Sequence, residues 1–145
     1  MKGTLLLLNG DRYQGDWING KKEGKGIYQW KTTGHIYTGD WINGVKHGIG
    51  IMKYSNGDVY NGTWMNNEKH GNGIFIWNDG EQYQGEWYHN NKQGYGVLIK
   101  ANGERHENMW VNNKKHGEGK VLNEKGLVIQ EGEWVDESLL LQIKY

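Results

Sequence analysis

The sequence predicts an all-β protein: an elongated single-sheet solenoid of about six consecutive antiparallel β-hairpins. Three observations predict it. Tryptophans recur at a nearly constant interval, glycines occupy a fixed grid between them, and Asn-Gly or Asp-Gly pairs separate short apolar runs. Long helices do not fit a chain of 145 residues with 24 Gly, because each interior glycine costs about 1 kcal/mol relative to alanine. The absence of proline excludes collagen. The length allows one small domain or one array, not two separate cores.

The interval comes first. Trp17, Trp41, Trp64, Trp87, Trp110 and Trp134 are spaced 24, 23, 23, 23 and 24 residues apart. Four residues before them stand Tyr13, Tyr37, Tyr60, Tyr83, His106 and Gln130, and two before them a glycine, except at Asn108. Each of the first five tryptophans is followed by a G-x-G pair, from Gly24/Gly26 to Gly117/Gly119, and then by a turn glycine. All 24 glycines fall on this grid. A repeated glycine pattern means a repeated backbone path, since glycine is selected where φ must be positive or the backbone must be approached closely.

Each hairpin follows from its turn. Asn9-Gly10 joins strands over 4–7 and 11–17, and the four-residue loop Lys31 to Gly34 joins 27–30 to 35–41. Ser55-Asn56-Gly57 joins 51–54 to 58–64, Asp79-Gly80 joins 74–77 to 81–87, and Asn102-Gly103 joins 97–100 to 104–110. The sixth pairs 120–122 with 127–134 around Gly126, carrying one extra residue before Trp134. A three-residue loop closed by a left-handed glycine sets Met52 opposite Tyr60, Phe75 opposite Tyr83 and Leu98 opposite His106. The four-residue loop sets Tyr28 opposite Tyr37. The array occupies 1–136: a half unit 1–12, units 13–36, 37–59, 60–82, 83–105 and 106–129, and a partial unit 130–136. The apolar tail 137–145, with Leu139, Leu141, Ile143 and Tyr145, is expected to close the last edge as a strand or short helix, or to dock on a partner.

This register collects the rings on one face: Tyr28, Trp30, Tyr37 and Trp41, then Tyr54, Tyr60 and Trp64, then Phe75, Trp77, Tyr83 and Trp87. A two-residue turn would scatter them over both faces. The glycine between each Tyr and Trp leaves a slot over which a neighbouring repeat's ring is expected to lie.

The stretch from Tyr37 to Asp58, YTGDWINGVKHGIGIMKYSNGD, resembles the MORN (membrane occupation and recognition nexus) repeat, and the similarity extends over residues 3 to about 135. It departs at His106, Asn108 and Gln130, positions expected in relaxed capping repeats. The resemblance implies a setting in radial-spoke and other ciliary assemblies, cytoskeletal structures or membrane junctions, with cilium or cytoskeleton preferred.

Charge and composition narrow the function. Seventeen basic and seventeen acidic residues cancel, which disfavours a nucleic-acid partner. Without cysteine there are no disulfides and no thiolate sites. The opening MKGTLLLLNG is short of the roughly 7–15 apolar residues of a signal core, so a soluble cytoplasmic protein is expected. Its Leu5–Leu8 run reads as an unguarded edge strand, open to self-association or augmentation. His47, His70 and His116 share one repeat position but should lie about 9–10 Å apart, too far to share one ion, so no metal or other cofactor is expected. The G-x-G pairs precede no helix and so read as turns, not phosphate loops. Ser55 and Ser138, the two serines, form no nucleophile constellation, and no enzyme is expected. Asp16, Asp40 and Glu86 read as solvated positions opposite the rings.

The expected function is a non-enzymatic scaffold that binds a partner's helix or extended segment along an aromatic trough anchored by the eleven rings named above. Two alternatives stand beside it. One is a peripheral membrane or phosphoinositide-binding module, using Lys21/Lys22, Lys46, Lys69, Lys92 and Lys114/Lys115 in the inter-hairpin loops. The other is an accessory subunit of an enzyme, because similar repeats accompany lipid-kinase and methyltransferase domains. Carbohydrate binding through exposed Trp has no positive support.

Overall fold

The computed structural model describes residues 1–143; the expectation for Tyr145 lies outside them. The described residues form thirteen strands paired in sequence order in one open antiparallel sheet. They are β1 (Lys2–Leu6), β2 (Arg12–Ile18), β3 (Lys21–Gln29), β4 (Ile36–Ile42), β5 (Val45–Lys53), β6 (Val59–Met65) and β7 (Glu68–Ile76). Then come β8 (Gln82–Tyr88), β9 (Asn91–Ile99), β10 (Arg105–Val111), β11 (Lys114–Leu122), β12 (Val128–Val135) and β13 (Ser138–Gln142). At about 4.8 Å per strand the sheet is about 60 Å long. The tail supplies β13, antiparallel to β12, which resolves its role between strand and helix.

The predicted loops are present. Leu7, Tyr54, Trp77 and Lys100 each accept a hydrogen bond from the glycine three residues later, and Gly10, Gly57, Gly80 and Gly103 all have φ near +90°. The pairings follow: Met52 with Tyr60, Phe75 with Tyr83, Leu98 with His106, and Tyr28 with Tyr37. The extra residue before Trp134 is taken up by a register shift between Val121 and Leu122.

Two expectations need correction. The strands after each Trp begin earlier than predicted, at Lys21 rather than 27 and at Val45 rather than 51, because the G-x-G segment lies inside the strand. Its first glycine, such as Gly24 at φ +69°, carries a bulge that the ladder absorbs between Gly15 and Trp17. The inter-hairpin loops also shrink to two residues, Asn19-Gly20, Asn43-Gly44, Asn66-Asn67 and so on, both at positive φ, the geometry of type I′ turns. Asn tolerates that conformation better than most side chains. The lysines assigned to loops therefore sit on strands.

The core is a ladder of rings. Tyr13, Tyr37, Tyr60 and Tyr83 have no solvent exposure. Each phenol lies over the glycine row: a Cβ at Gly26 would stand 2.2 Å from the Tyr13 hydroxyl, and one at Gly50 would stand 2.2 Å from that of Tyr37. The slot is thus filled by the unit's own tyrosine, not by a neighbour's ring. The neighbour's indole then meets that tyrosine edge-on, Tyr13 with Trp41 at 5.7 Å and Tyr37 with Trp64 at 5.4 Å. The same tyrosines also contact their own unit's Trp, Tyr37 with Trp41 and Tyr60 with Trp64, both at 5.1 Å. Such edge-to-face pairs are worth about 0.5–1.5 kcal/mol beyond the area they bury.

Hydrogen bonds lock the same contacts. The Tyr13, Tyr37, Tyr60 and Tyr83 hydroxyls donate to the backbone carbonyls of Asp16, Asp40, Thr63 and Glu86, at 2.9–3.0 Å. The Trp41, Trp64, Trp87 and Trp110 indoles donate to the carbonyls of Gly26, Gly50, Gly73 and Gly96 in the preceding unit. Beside the type I′ turns, Asn67, Asn90 and Asn113 accept from the backbone N–H of Lys46, Lys69 and Lys92 and return a backbone N–H to the same lysine's carbonyl. The central units are therefore tied to one another through rings, indole N–H and a paired turn contact.

At the fifth unit the ladder changes. Asn108 takes the glycine position and its amide lies against Gly119, where earlier units place a phenol. It is buried with neither amide atom hydrogen-bonded.

Candidate functional site

Two faces of the sheet compete as functional surfaces. The aromatic face carries all eleven rings named from the sequence, but not all are accessible. Tyr28, Tyr37, Trp41, Tyr60, Trp64, Tyr83 and Trp87 are buried by their own and neighbouring units. Trp30, Tyr54, Phe75 and Trp77 are half-buried and pack on the edge of that core. Tyr54 and Phe75 lie 5.9 Å apart, and Phe75 and Trp77 4.7 Å apart. Trp30, Tyr54 and Trp77 directly follow the last residues of β3, β5 and β7, so they form a row with a two-strand repeat. A shallow hollow between units is lined by His35, Tyr54, Phe75, Lys69 and the Ser55–Asp58 turn.

The unexpected members are lysines. Lys22, Lys46, Lys69 and Lys92 pair across the bulge with Trp17, Trp41, Trp64 and Trp87, which turns their side chains onto the aromatic face. The Lys22 ammonium lies 4.7 Å from the Trp41 ring centre and 4.8 Å from that of Tyr28. Lys46 lies 4.3 Å from Trp64 and 5.6 Å from Trp30; Lys69 lies 5.0 Å from Trp87 and 5.1 Å from Phe75. Lys92 lies 4.4 Å from Trp110 and 5.7 Å from Trp77. Each cation sits among the negative faces of two or three rings, with its alkyl stem covering apolar surface. The sequence carried the signal, a lysine five residues after each of the first five repeat tryptophans.

The charges on this face are unequally compensated. Asp11 is buried beneath the first unit, where it accepts from the Tyr28 hydroxyl at 2.6 Å and the Lys31 N–H at 2.8 Å. Those hydrogen bonds hold its carboxyl below the usual range, and its charge in turn supports Lys22. At the far end Lys115 meets Glu137 at 3.7 Å. Among the described residues, Lys46 and Lys69 have no carboxylate within ion-pairing distance. Burial, with Lys69 nearby, pulls the Lys46 ammonium down to about 8; burial alone lowers Lys69.

The opposite face is mixed. Asp40 pairs with Lys25 and accepts the Ile49 N–H at 2.9 Å, so it satisfies the bulge as well as meeting solvent. Ile27, Ile36, Ile49, Ile51 and Ile74 lie there among Gln, Thr and Asn. The shared histidine position is structural: His47 and His70 accept the turn N–H of the following unit at 3.4 Å. Among the described residues no cluster of three or more His, Cys, Asp or Glu is placed to hold a metal ion.

The family model for the MORN repeat matches five successive segments, residues 13–34, 37–59, 60–82, 83–105 and 109–126. The chain belongs to the MORN-repeat family. Each matched segment carries the Trp and the G-x-G pair described above, and the fifth begins after His106 and Asn108, where the ladder changes. No curated protein matches the sequence closely enough to count as a relative. Among 31 matching solved chains is the SAS-4 (dCPAP) TCP domain of Drosophila melanogaster, solved in complex with a proline-rich motif of Ana2 (dSTIL). It is 16% identical, with a TM-score of 0.58 over 86% of this chain and 67% of that one, a likeness of fold. Among the described residues no helix is long and apolar enough to cross a membrane.

Proposed function

We propose that this MORN-repeat protein is a non-enzymatic interaction scaffold whose aromatic face docks a helix or extended segment of a protein partner. The observation that carries the reading is the row Trp30, Tyr54 and Trp77, half-exposed beside the caged ammonium groups of Lys46 and Lys69, which among the described residues have no carboxylate within ion-pairing distance. Trp and Tyr rings dominate interface hot spots, and here the rings, with the lysine charges beside them, are fixed by the fold before any partner arrives. The buried rings hold the platform; the half-exposed ones meet the partner. The SAS-4 TCP domain, similar in fold, was solved with a peptide bound, which supports a peptide-docking use of such a sheet. The setting we favour is a ciliary or cytoskeletal assembly in the cytoplasm, as the family resemblance implies.

The test is to place a photo-crosslinking residue at Trp77 on the aromatic face and, separately, at Ile74 on the opposite face of the full chain in its native cell. Crosslinks to a specific protein from position 77 and not from 74 support the reading. Crosslinks from 74 alone, or from 77 only to lipid, overturn it.

A further inference from the structure

Five lysines and three end-of-strand rings repeat along this face with one period, two strands. At about 4.8 Å per strand that period is about 9.6 Å. A ligand that follows the array must therefore present the same chemistry every 9.6 Å or so, always in the same direction. An extended β-strand covers about 10 Å in three residues, but its third side chain points to the opposite side. A helix returns to the same side only after seven residues and about 10.5 Å, so it slips by about 1 Å per unit. A polyproline II segment has three residues per turn and a rise of about 3.1 Å, so every third residue returns to the same side after about 9.3 Å.

We propose that the aromatic face of this chain binds an acidic polyproline II segment of a partner protein, with a carboxylate at every third residue seated on Lys46, Lys69 and Lys92, and with prolines lying over Trp30, Tyr54 and Trp77. This proposal rests on the scaffold reading and gives its partner a chemistry. The three lysines span about 19 Å, and carboxylates at i, i+3 and i+6 of such a segment span about 18.6 Å. The rings stand next to the cations, Trp30 5.6 Å from Lys46 and Trp77 5.7 Å from Lys92, so one turn of ligand meets a cation and a ring together. Aromatic grooves accept polyproline II chains because the ligand loses little conformational freedom on docking. Acidic side chains are selected because, among the described residues, Lys46 and Lys69 have no carboxylate within ion-pairing distance and none that acts on their charge, whereas Asp11 supports Lys22, Glu137 and Glu81 support Lys92, and Glu137 pairs with Lys115. The Lys46 and Lys69 seats therefore carry most of the affinity, and the Lys92 seat extends the register.

The experiment uses the full chain and synthetic 12-residue peptides, followed by calorimetry and tryptophan fluorescence. The probe is a Glu-Pro-Pro repeat. Its controls are a Gln-Pro-Pro repeat, a peptide of the same composition with the glutamates grouped together, and an acidic amphipathic helical peptide. The expected result is salt-sensitive binding of the Glu-Pro-Pro peptide, weakened about tenfold by Lys69→Met, which keeps the stem over Phe75 and removes the charge. A melting curve of the variant no lower than wild type shows that the fold is intact. Equal binding of the grouped or neutral peptide, or no effect of Lys69→Met, overturns the proposal. Tighter binding of the helical peptide, with loss on Trp77→Ser, overturns this proposal while leaving the scaffold reading in place. If no peptide binds and only vesicles of phosphatidylcholine with phosphatidylinositol bisphosphate do, both fall.

Discussion

Replacing Trp64 with alanine probes the packing between units in the middle of the array. The indole is 4% exposed, stands edge-on to Tyr37 at 5.4 Å and Tyr60 at 5.1 Å, and donates to the Gly50 carbonyl at 3.1 Å. Truncating a buried Trp costs about 3–5 kcal/mol, and the carbonyl left without its donor adds about 1 kcal/mol. The expected loss is therefore about 4–6 kcal/mol, measured by urea unfolding followed by circular dichroism. Trp134→Ala is the internal control: it is equally buried, but it has no ring pair and no indole hydrogen bond among the described residues. Its loss should be smaller by about 2–4 kcal/mol, the two ring pairs and the hydrogen bond that it lacks. A loss below about 1 kcal/mol at Trp64, or an equal loss at the two sites, would refute the reasoning, because the difference between them is the two ring pairs and the indole hydrogen bond that Trp64 makes.

Other outcomes follow from the same contacts. Stability should peak near pH 10: Lys46 is protonated in the unfolded chain up to its ordinary value but only to about 8 when folded, so stability rises as pH goes from about 8 towards 10. Above 10 it falls, because burial holds the Tyr13 and Tyr28 phenols protonated to about 12 while the unfolded chain ionises; Lys46→Met should shrink the rise, to which the buried Lys22, Lys69 and Lys92 also contribute, and leave the fall. Gly50→Ala, which sets a methyl 2.2 Å from the Tyr37 hydroxyl, should unfold the chain at room temperature, whereas Gly3→Ala, with nothing within 4 Å, should leave its melting curve unchanged. The paired change His106→Tyr with Asn108→Gly should gain about 1–3 kcal/mol in urea unfolding by replacing an unsatisfied amide with a ring, while Asn108→Gly alone leaves a void and gains nothing.

The sequence was most legible where one residue type had one physical use. A left-handed glycine after Asn or Asp fixed the loop length, and loop length fixed which ring faced which, so Met52 opposite Tyr60 was readable without coordinates. Gly24 was misread because glycine marks both turns and bulges, and only the ladder on either side of it tells them apart. The lysines were missed for a related reason. A charge next to Asn-Gly looks solvated, yet Lys46 lies on the strand with its ammonium 4.3 Å from Trp64. The division of the rings into buried and half-exposed was illegible too: Trp41 and Trp30 are both tryptophans on one face, but Trp41 lies within β4 against Tyr13 and Gly26 of the preceding unit, whereas Trp30 lies just beyond the end of β3 at the edge of the core.

The account depends on neighbouring units stabilising one another through shared rings, and a double-mutant cycle on Tyr37→Ala and Trp64→Ala measures that contact across a unit boundary. The expected coupling is about 1 kcal/mol, similar to that of Tyr60 with Trp64 inside one unit. Strict additivity at the boundary, with coupling confined to the pair inside the unit, would mean that each hairpin stands alone and would contradict the account.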